Sequence, residues 1–198
     1  MNYIIPVFES ENLSTTIPQS AYLDTFSGKK KETALFVDTD GNKHFYLGLG
    51  KEHGRSGIIT TARSFFFPNK ATLKRDILIK SFSDTEKPYL REICQGAFLG
   101  KYEIGYLKNK DEVKSDWYSS GSNINVESGN EEDLKVGHQL ADTQMRIMKW
   151  GDAPANYKTP QMLSQWLVES GKESGFEVEL FDAKACEEMG MHALLAVG

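Results

Sequence analysis

Apolar and polar positions alternate in two different rhythms along this chain, and the two rhythms divide it into elements. Tyr3 to Phe8 is a short apolar run suited to a first strand, and polar, loop-like residues follow from Glu9 to Ser20. Thr33–Asp38 and Lys43–Gly48 are two apolar segments around Asp40-Gly41, a pairing of residues that signals a hairpin. From Ser56 to Phe67 the period lengthens. Ile58, Ile59, Ala62, Phe65 and Phe66 fall on one face of a helix, which Pro68-Asn69 ends. Asp76 to Phe82 reads as a strand. Pro88 to Leu99 has helical spacing again, in Leu90, Ile93, Cys94, Ala97 and Phe98.

Asn109 to Ser120 is charged and rich in turn formers, as expected of an exposed loop, and Asn123–Glu127 is a short strand between Gly121 and Gly129. Asn130 is placed to cap a helix, with Glu131, Glu132 and Asp133 in the first turn, where the helix dipole favours negative charge. Leu134, Gly137, Ala141, Met145 and Met148 then form a stripe running down to Trp150. Thr159-Pro160 is another helix start, a hydroxyl cap followed by a proline whose fixed φ suits the first turn. Met162, Leu163, Trp166, Leu167 and Ser170 follow at helical spacing, with Gly171 and Gly175 as places to stop. Phe176–Phe181 alternates apolar and acidic residues and predicts a strand. Asp182 caps a short helix ending near Gly190, and Ala193–Val197 predicts a second, more buried strand.

Strands and helices interleaved around one hairpin predict an α/β fold: a mixed sheet with helices on both faces. The chain has neither an internal repeat nor a low-complexity tract. A length of 198 residues accommodates one domain comfortably, or one domain plus part of another. The strands expected after Pro154 have few sheet neighbours in this sequence, so their backbone groups need another outlet. That region is expected to pack on the first domain, to associate with another chain or to be poorly ordered.

Composition narrows the classes of function. The net charge of -5, with 26% charged residues, gives no overall attraction to nucleic acid or anionic membrane. Lys29-Lys30-Lys31 is the only basic run, and an exposed loop explains it. No apolar run approaches the roughly 20 residues of a membrane span, and Met1-Asn2-Tyr3 does not open a signal peptide, so a cytoplasmic location is expected. Cys94 and Cys186 have no metal-ligand spacing and are expected as buried, reduced thiols.

Candidate chemistry is sparse. Gly48-Leu49-Gly50-Lys51 invites a phosphate-loop reading, but Phe45 stands where the first glycine belongs and Glu52 where the hydroxyl belongs. A tight turn between strand and helix is the better reading. His44, His53, His138 and His192 are scattered without metal-binding spacing. Glu131-Glu132-Asp133 is explained by the helix start, and Ser119-Ser120-Gly121-Ser122 has no base nearby in sequence. No catalytic, cofactor-binding or metal-binding residue is assigned.

The most specific stretch is P-A-N-Y-K-T-P (Pro154–Pro160), followed by V-E-L-F-D (Val178–Asp182) and C-E-E-M-G-M-H-A-L-L-A-V-G (Cys186–Gly198). It resembles the leucyl (cytosol) aminopeptidase family, which has a Pro-x-Asn-x-x-Thr-Pro signature where its N-terminal domain meets its catalytic domain. A looser second match is G-A-F-L-G-K-Y-E-I-G-Y-L-K (Gly96–Lys108), similar to a pattern in the family's N-terminal domains, with Ile104 in place of a phenylalanine and Tyr106 one position early. The run before Pro154 departs from the family: M-K-W-G-D-A (Met148–Ala153) replaces Arg-Asp-Leu-x-Asn, and Arg146 is displaced.

The resemblance implies an N-terminal domain similar to the macrodomain fold over 1–129, a connecting helix over 130–153 and the opening of the catalytic domain over 154–198. It implies a parent enzyme in which two divalent metals, zinc or manganese, activate water against an N-terminal peptide bond. The family's metal-binding run Asn-Thr-Asp-Ala-Glu-Gly-Arg does not occur here, so no cofactor is expected in this segment. Asp182, Glu187 and Glu188 are not at the family's ligand positions, and Pro154–Pro160, Asn156 included, reads as a structural bend and cap. The implied partners are the chain's own catalytic domain, peptide substrates and other subunits of a homohexamer. Two alternatives stand beside this reading. One is an ADP-ribose-like nucleotide-binding module, by fold analogy alone. The other is DNA binding, known in some members and opposed here by the acidic balance.

Overall fold

The computed structural model describes residues 1–9, 25–51, 54–70, 72–73, 76–80, 89–104 and 123–197. The chain forms two compact units, Met1–Lys149 and Trp150–Gly198. The first is built on a five-stranded mixed sheet. Its strands are β1 (Asn2–Phe8), β2 (Thr33–Val37), β3 (Lys43–Gly50), β4 (Ile77–Ile79) and β5 (Ile124–Val126), in the order β2-β3-β1-β4-β5. β1 runs parallel to β3 and β4, β4 runs parallel to β5, and β2 returns antiparallel on β3. The predicted mixed α/β sheet is therefore the observed one. The predicted loops Glu9–Ser20 and Asn109–Ser120 lie almost wholly or wholly outside the described residues.

Asp40-Gly41 does turn the β2–β3 hairpin, through a three-residue loop between Asp38 and Asn42. Gly41 occupies the left-handed region at φ 75°, and its N–H bonds to the Asp38 carbonyl at 3.0 Å. β3 continues to Gly50, so Gly48-Leu49-Gly50 belongs to the strand and the turn toward the next helix comes after it. Gly48 is needed for close approach: a β-carbon there would strike the Lys29 carbonyl oxygen. Pro6 sits in the central strand without loss. Its nitrogen faces the β4 side, where pairing has already ended at Ile79.

The alternation of side chains gives the sheet two unlike faces. Ile4, Phe45, Leu47, Leu49, Ile77, Ile79 and Ile124 join the main core with α1 (Arg55–Phe66), α2 (Leu90–Leu99) and the inward stripe of α3 (Glu131–Asp152). On the opposite face a smaller cluster gathers Val7, Phe26, Ala34 and Tyr46, flanked by Ile5 and Phe36. Glycines let the helices approach. A β-carbon on Gly96 of α2 would lie 2.5 Å from both the Ala62 β-carbon and the Ile59 carbonyl of α1. One on Gly137 of α3 would lie 2.8 Å from the Cys94 β-carbon. The stripe read from the sequence is the buried one: Ala141 is fully buried, and Leu134, Met145 and Met148 pack on the core.

In the second unit, α4 (Pro160–Ser174) begins as predicted. The Thr159 hydroxyl accepts from the Met162 N–H at 3.3 Å, Pro160 occupies the first turn, and Gly175 ends the helix at φ 78°. α5 (Ala183–Glu188) is capped by Asp182, whose Oδ1 accepts from the Ala185 N–H at 2.8 Å. Two expectations are overturned. Phe176–Phe181 forms no strand, and Ala193–Val197 is not a strand either, since His192–Leu195 is a short helix, α6. A strand satisfies its backbone only through a neighbour, and the described part of this unit provides none. Ala193, Leu194 and Leu195 are good helix formers, so local hydrogen bonds take over.

Candidate functional site

The sequence singled out four histidines, and the structure keeps them apart. His44 on β3 stacks on Tyr3 with ring centroids 4.7 Å apart, and its Nε2 donates to Asp38 Oδ2 at 3.0 Å. His138 stacks on Phe98 at 4.1 Å, His192 begins α6, and His53 lies outside the described residues. Asp38 is held by its own hairpin. Oδ1 accepts from the N–H groups of Asp40 (3.0 Å) and Asn42 (2.8 Å), and the hydrogen bond from His44 leads the effects that hold its carboxyl down at about 2. This is turn chemistry, organised around a carboxylate that stays ionised.

The carboxylates at the start of α3 are likewise in use. Glu131 accepts from the Gly129 N–H at 3.0 and 3.1 Å, and Asp133 takes Arg91 of α2 at 3.0 Å. Asn130 does not cap as expected: its side-chain amide donates backwards, to the Glu127 carbonyl at 3.3 Å. Burial pushes the Cys94 thiol up to about 12, with the Asp133 charge adding to it, and Cys94 and Cys186 are both free and buried. Ser119–Ser122 lies outside the described residues. Among the described residues, no three His, Cys, Asp or Glu side chains come together as a metal site.

Among the described residues, each unit carries an open concavity. Ser56, Thr60 and Arg63 of α1 with Gln144 of α3 line an open groove of about 490 Å³. Its hydroxyls are turned inward: Thr60 donates to the Ser56 carbonyl and Ser64 to the Thr60 carbonyl, both at 2.8 Å. The groove offers no activated nucleophile. In the second unit, Val168, Lys172, Phe176 and Glu177–Glu179 line an open hollow of about 660 Å³, formed where Phe176–Val178 folds back on Gly171.

The surface of the second unit is its most telling feature. The Pro154–Pro160 segment is a short 3-10 turn (Ala155–Tyr157) leading into the Thr159 cap. Lys158 Nζ donates to the Gly151 carbonyl at 2.9 Å, and Trp150 packs on Trp166 at 5.3 Å. Asn156, read from the sequence as part of a structural bend and cap, is exposed in that turn. Beyond it, Met162, Leu163 and Leu167 on α4, and Phe176, Leu180, Phe181, Leu194 and Val197 after it, are all exposed apolar side chains. Large exposed apolar side chains in this number within one unit are characteristic of an interaction surface.

No family model matches the chain. Among curated relatives, a probable cytosol aminopeptidase of Aquifex aeolicus is 29% identical over 96% of this chain and 39% of its own length. Another, of Persephonella marina, is 33% identical over 87% of this chain and 34% of its own length. The chain belongs to the leucyl (cytosol) aminopeptidase family. It spans between about a third and two-fifths of those relatives. The bottromycin maturation enzyme BotP in complex with Mn superimposes on all of the chain and 42% of its own, with a TM-score of 0.72 at 15% identity. A tomato leucine aminopeptidase mutant covers 96% of this chain, with a TM-score of 0.73 at 17% identity. Those two likenesses concern the fold. No described helix is long and apolar enough to cross a membrane.

Proposed function

We propose that this chain is the N-terminal, non-catalytic region of a dimetal aminopeptidase that removes amino-terminal residues from peptides. In this reading residues 1–129 form the N-terminal domain, 130–153 the connecting helix, and 154–198 the opening of the catalytic domain. The region serves subunit assembly and access to the active site. The observation that carries the reading is the exposed apolar surface of the second unit, in a chain that aligns along nearly its whole length with only part of each relative. A catalytic domain continuing from that surface supplies the missing sheet neighbours and covers Phe176, Leu180 and Phe181.

In this reading the two divalent metals are held by the rest of the catalytic domain; among the described residues no three His, Cys, Asp or Glu side chains gather as a metal site. The manganese complex of BotP supports divalent-metal use by the parent and leaves zinc or manganese open. A cytoplasmic parent acting on peptides agrees with the relatives' names.

Paired aminopeptidase assays with added manganese or zinc, on this polypeptide and on the product of its complete reading frame, test the proposal. Activity confined to the longer chain is the expected result. Metal-dependent cleavage by the 198 residues alone would sink it. If the reading frame ends at Gly198 and nothing is cleaved, the nucleotide-binding alternative takes its place.

A further inference from the structure

Among the described residues, the outer edge of β2 is unpaired. β2 is the terminal strand of the sheet order, and among the described residues no strand lies beyond it. The hydrogen bonds at its two ends, from Gly48 N–H to Glu32 O (2.8 Å) and from Asp38 N–H to Asn42 O (3.0 Å), show that even-numbered residues face β3. By alternation, the N–H and C=O groups of Thr33, Leu35 and Val37 point outward. Natural edges are blunted by charge, proline or shortness. β5, at the other edge, has only three residues. β2 is T-A-L-F-V, with no charge and no proline, and Leu35 and Val37 are 40% and 51% exposed.

We propose that a second copy of this chain pairs antiparallel along β2 about a two-fold axis at Leu35, giving one continuous sheet through both copies. Self-complementarity selects this occupant. With Leu35 opposite its own mate, Thr33 faces Val37 of the second copy and Val37 faces its Thr33, so every outward backbone group of the strand meets another outward group. The charges flanking the strand agree with that register. Lys29, Lys30 and Lys31 are exposed at one end, where the Lys29 charge also acts on the neighbouring Glu32, and Asp40 is exposed at the other. The two-fold brings the basic end of each copy to the acidic end of the other. A parallel arrangement would set like charges together. The pairing stands on the edge alone and does not depend on the aminopeptidase reading.

Sedimentation equilibrium of the 198-residue chain over a range of protein and salt concentrations tests it. A dimer weakened by salt is expected. Leu35→Pro, which removes an outward donor and spares the bonds to β3, is expected to weaken dimerisation about tenfold or more. The double substitution Lys30→Glu/Lys31→Glu is expected to do the same by making both ends acidic, and adding Asp40→Lys to it is expected to restore the dimer. Circular dichroism of each variant separates lost pairing from lost folding. A chain that stays monomeric throughout overturns the proposal. So does an oligomer indifferent to all three variants, which would place the contact on another surface.

Discussion

At the scale of single residues, the same side-chain change carries opposite signs at two glycines. Gly96 has the Ala62 β-carbon and the Ile59 carbonyl each 2.5 Å from where its own β-carbon would stand, and neither can swing away. Gly96→Ala is expected to destabilise by about 1–3 kcal/mol, as overpacking does. Gly151 has open space around it within α3, so Gly151→Ala is expected to stabilise by about 0.5–1 kcal/mol through helix propensity. Urea unfolding of both variants checks the pair.

Asp38 gives a second prediction at this scale. Its folded pKa lies below the ordinary carboxylate value, so its contribution to the hairpin is present above that range and is lost as pH falls toward 2. His44→Phe keeps a ring against Tyr3 and deletes the donor. Asp38's titration, followed by NMR at its carboxyl carbon, is then expected to move part of the way back up, because the N–H groups of Asp40 and Asn42 still donate. An unmoved titration would show that the Asp40 and Asn42 donors, the Asn42 side-chain amide included, hold the carboxylate without His44.

Among the elements, those with their own start and stop signals were legible from sequence. Thr159-Pro160 and Asp182 each state a cap, and both caps form. Ile58, Ala62, Phe65 and Phe66 state a buried face, and it is buried. Phe176–Phe181 states only alternation, and alternation is not a partner. With no described strand beside it the segment stays irregular, its Phe176 amide bonded to the Gly171 carbonyl at 3.1 Å. Hydrogen exchange is expected to be far faster across Phe176–Phe181 than in β1, which is paired on both sides. In the proposed full-length enzyme the same amides are expected to slow, and equal rates in the two chains would argue against a catalytic domain completing this region.

For the whole molecule, sequence alone determined the class of fold, the inward stripe of α3 and the family, because hydrophobic period, capping residues and the Pro154–Pro160 run are all local in the chain. Tertiary structure decided the rest. That Gly48 serves a close backbone approach depends on Lys29, nineteen positions earlier. That Asn130 donates backwards depends on the path of the chain at Glu127. The open edge of β2 could not be read from T-A-L-F-V, since the same five residues would serve equally in the middle of a sheet. Strand order, unlike strand pattern, is set by pairings between distant residues. Those pairings fix which edge of the sheet is unpaired among the described residues, and the lack of any such pairing in the described part of the second unit leaves Phe176–Phe181 without a strand.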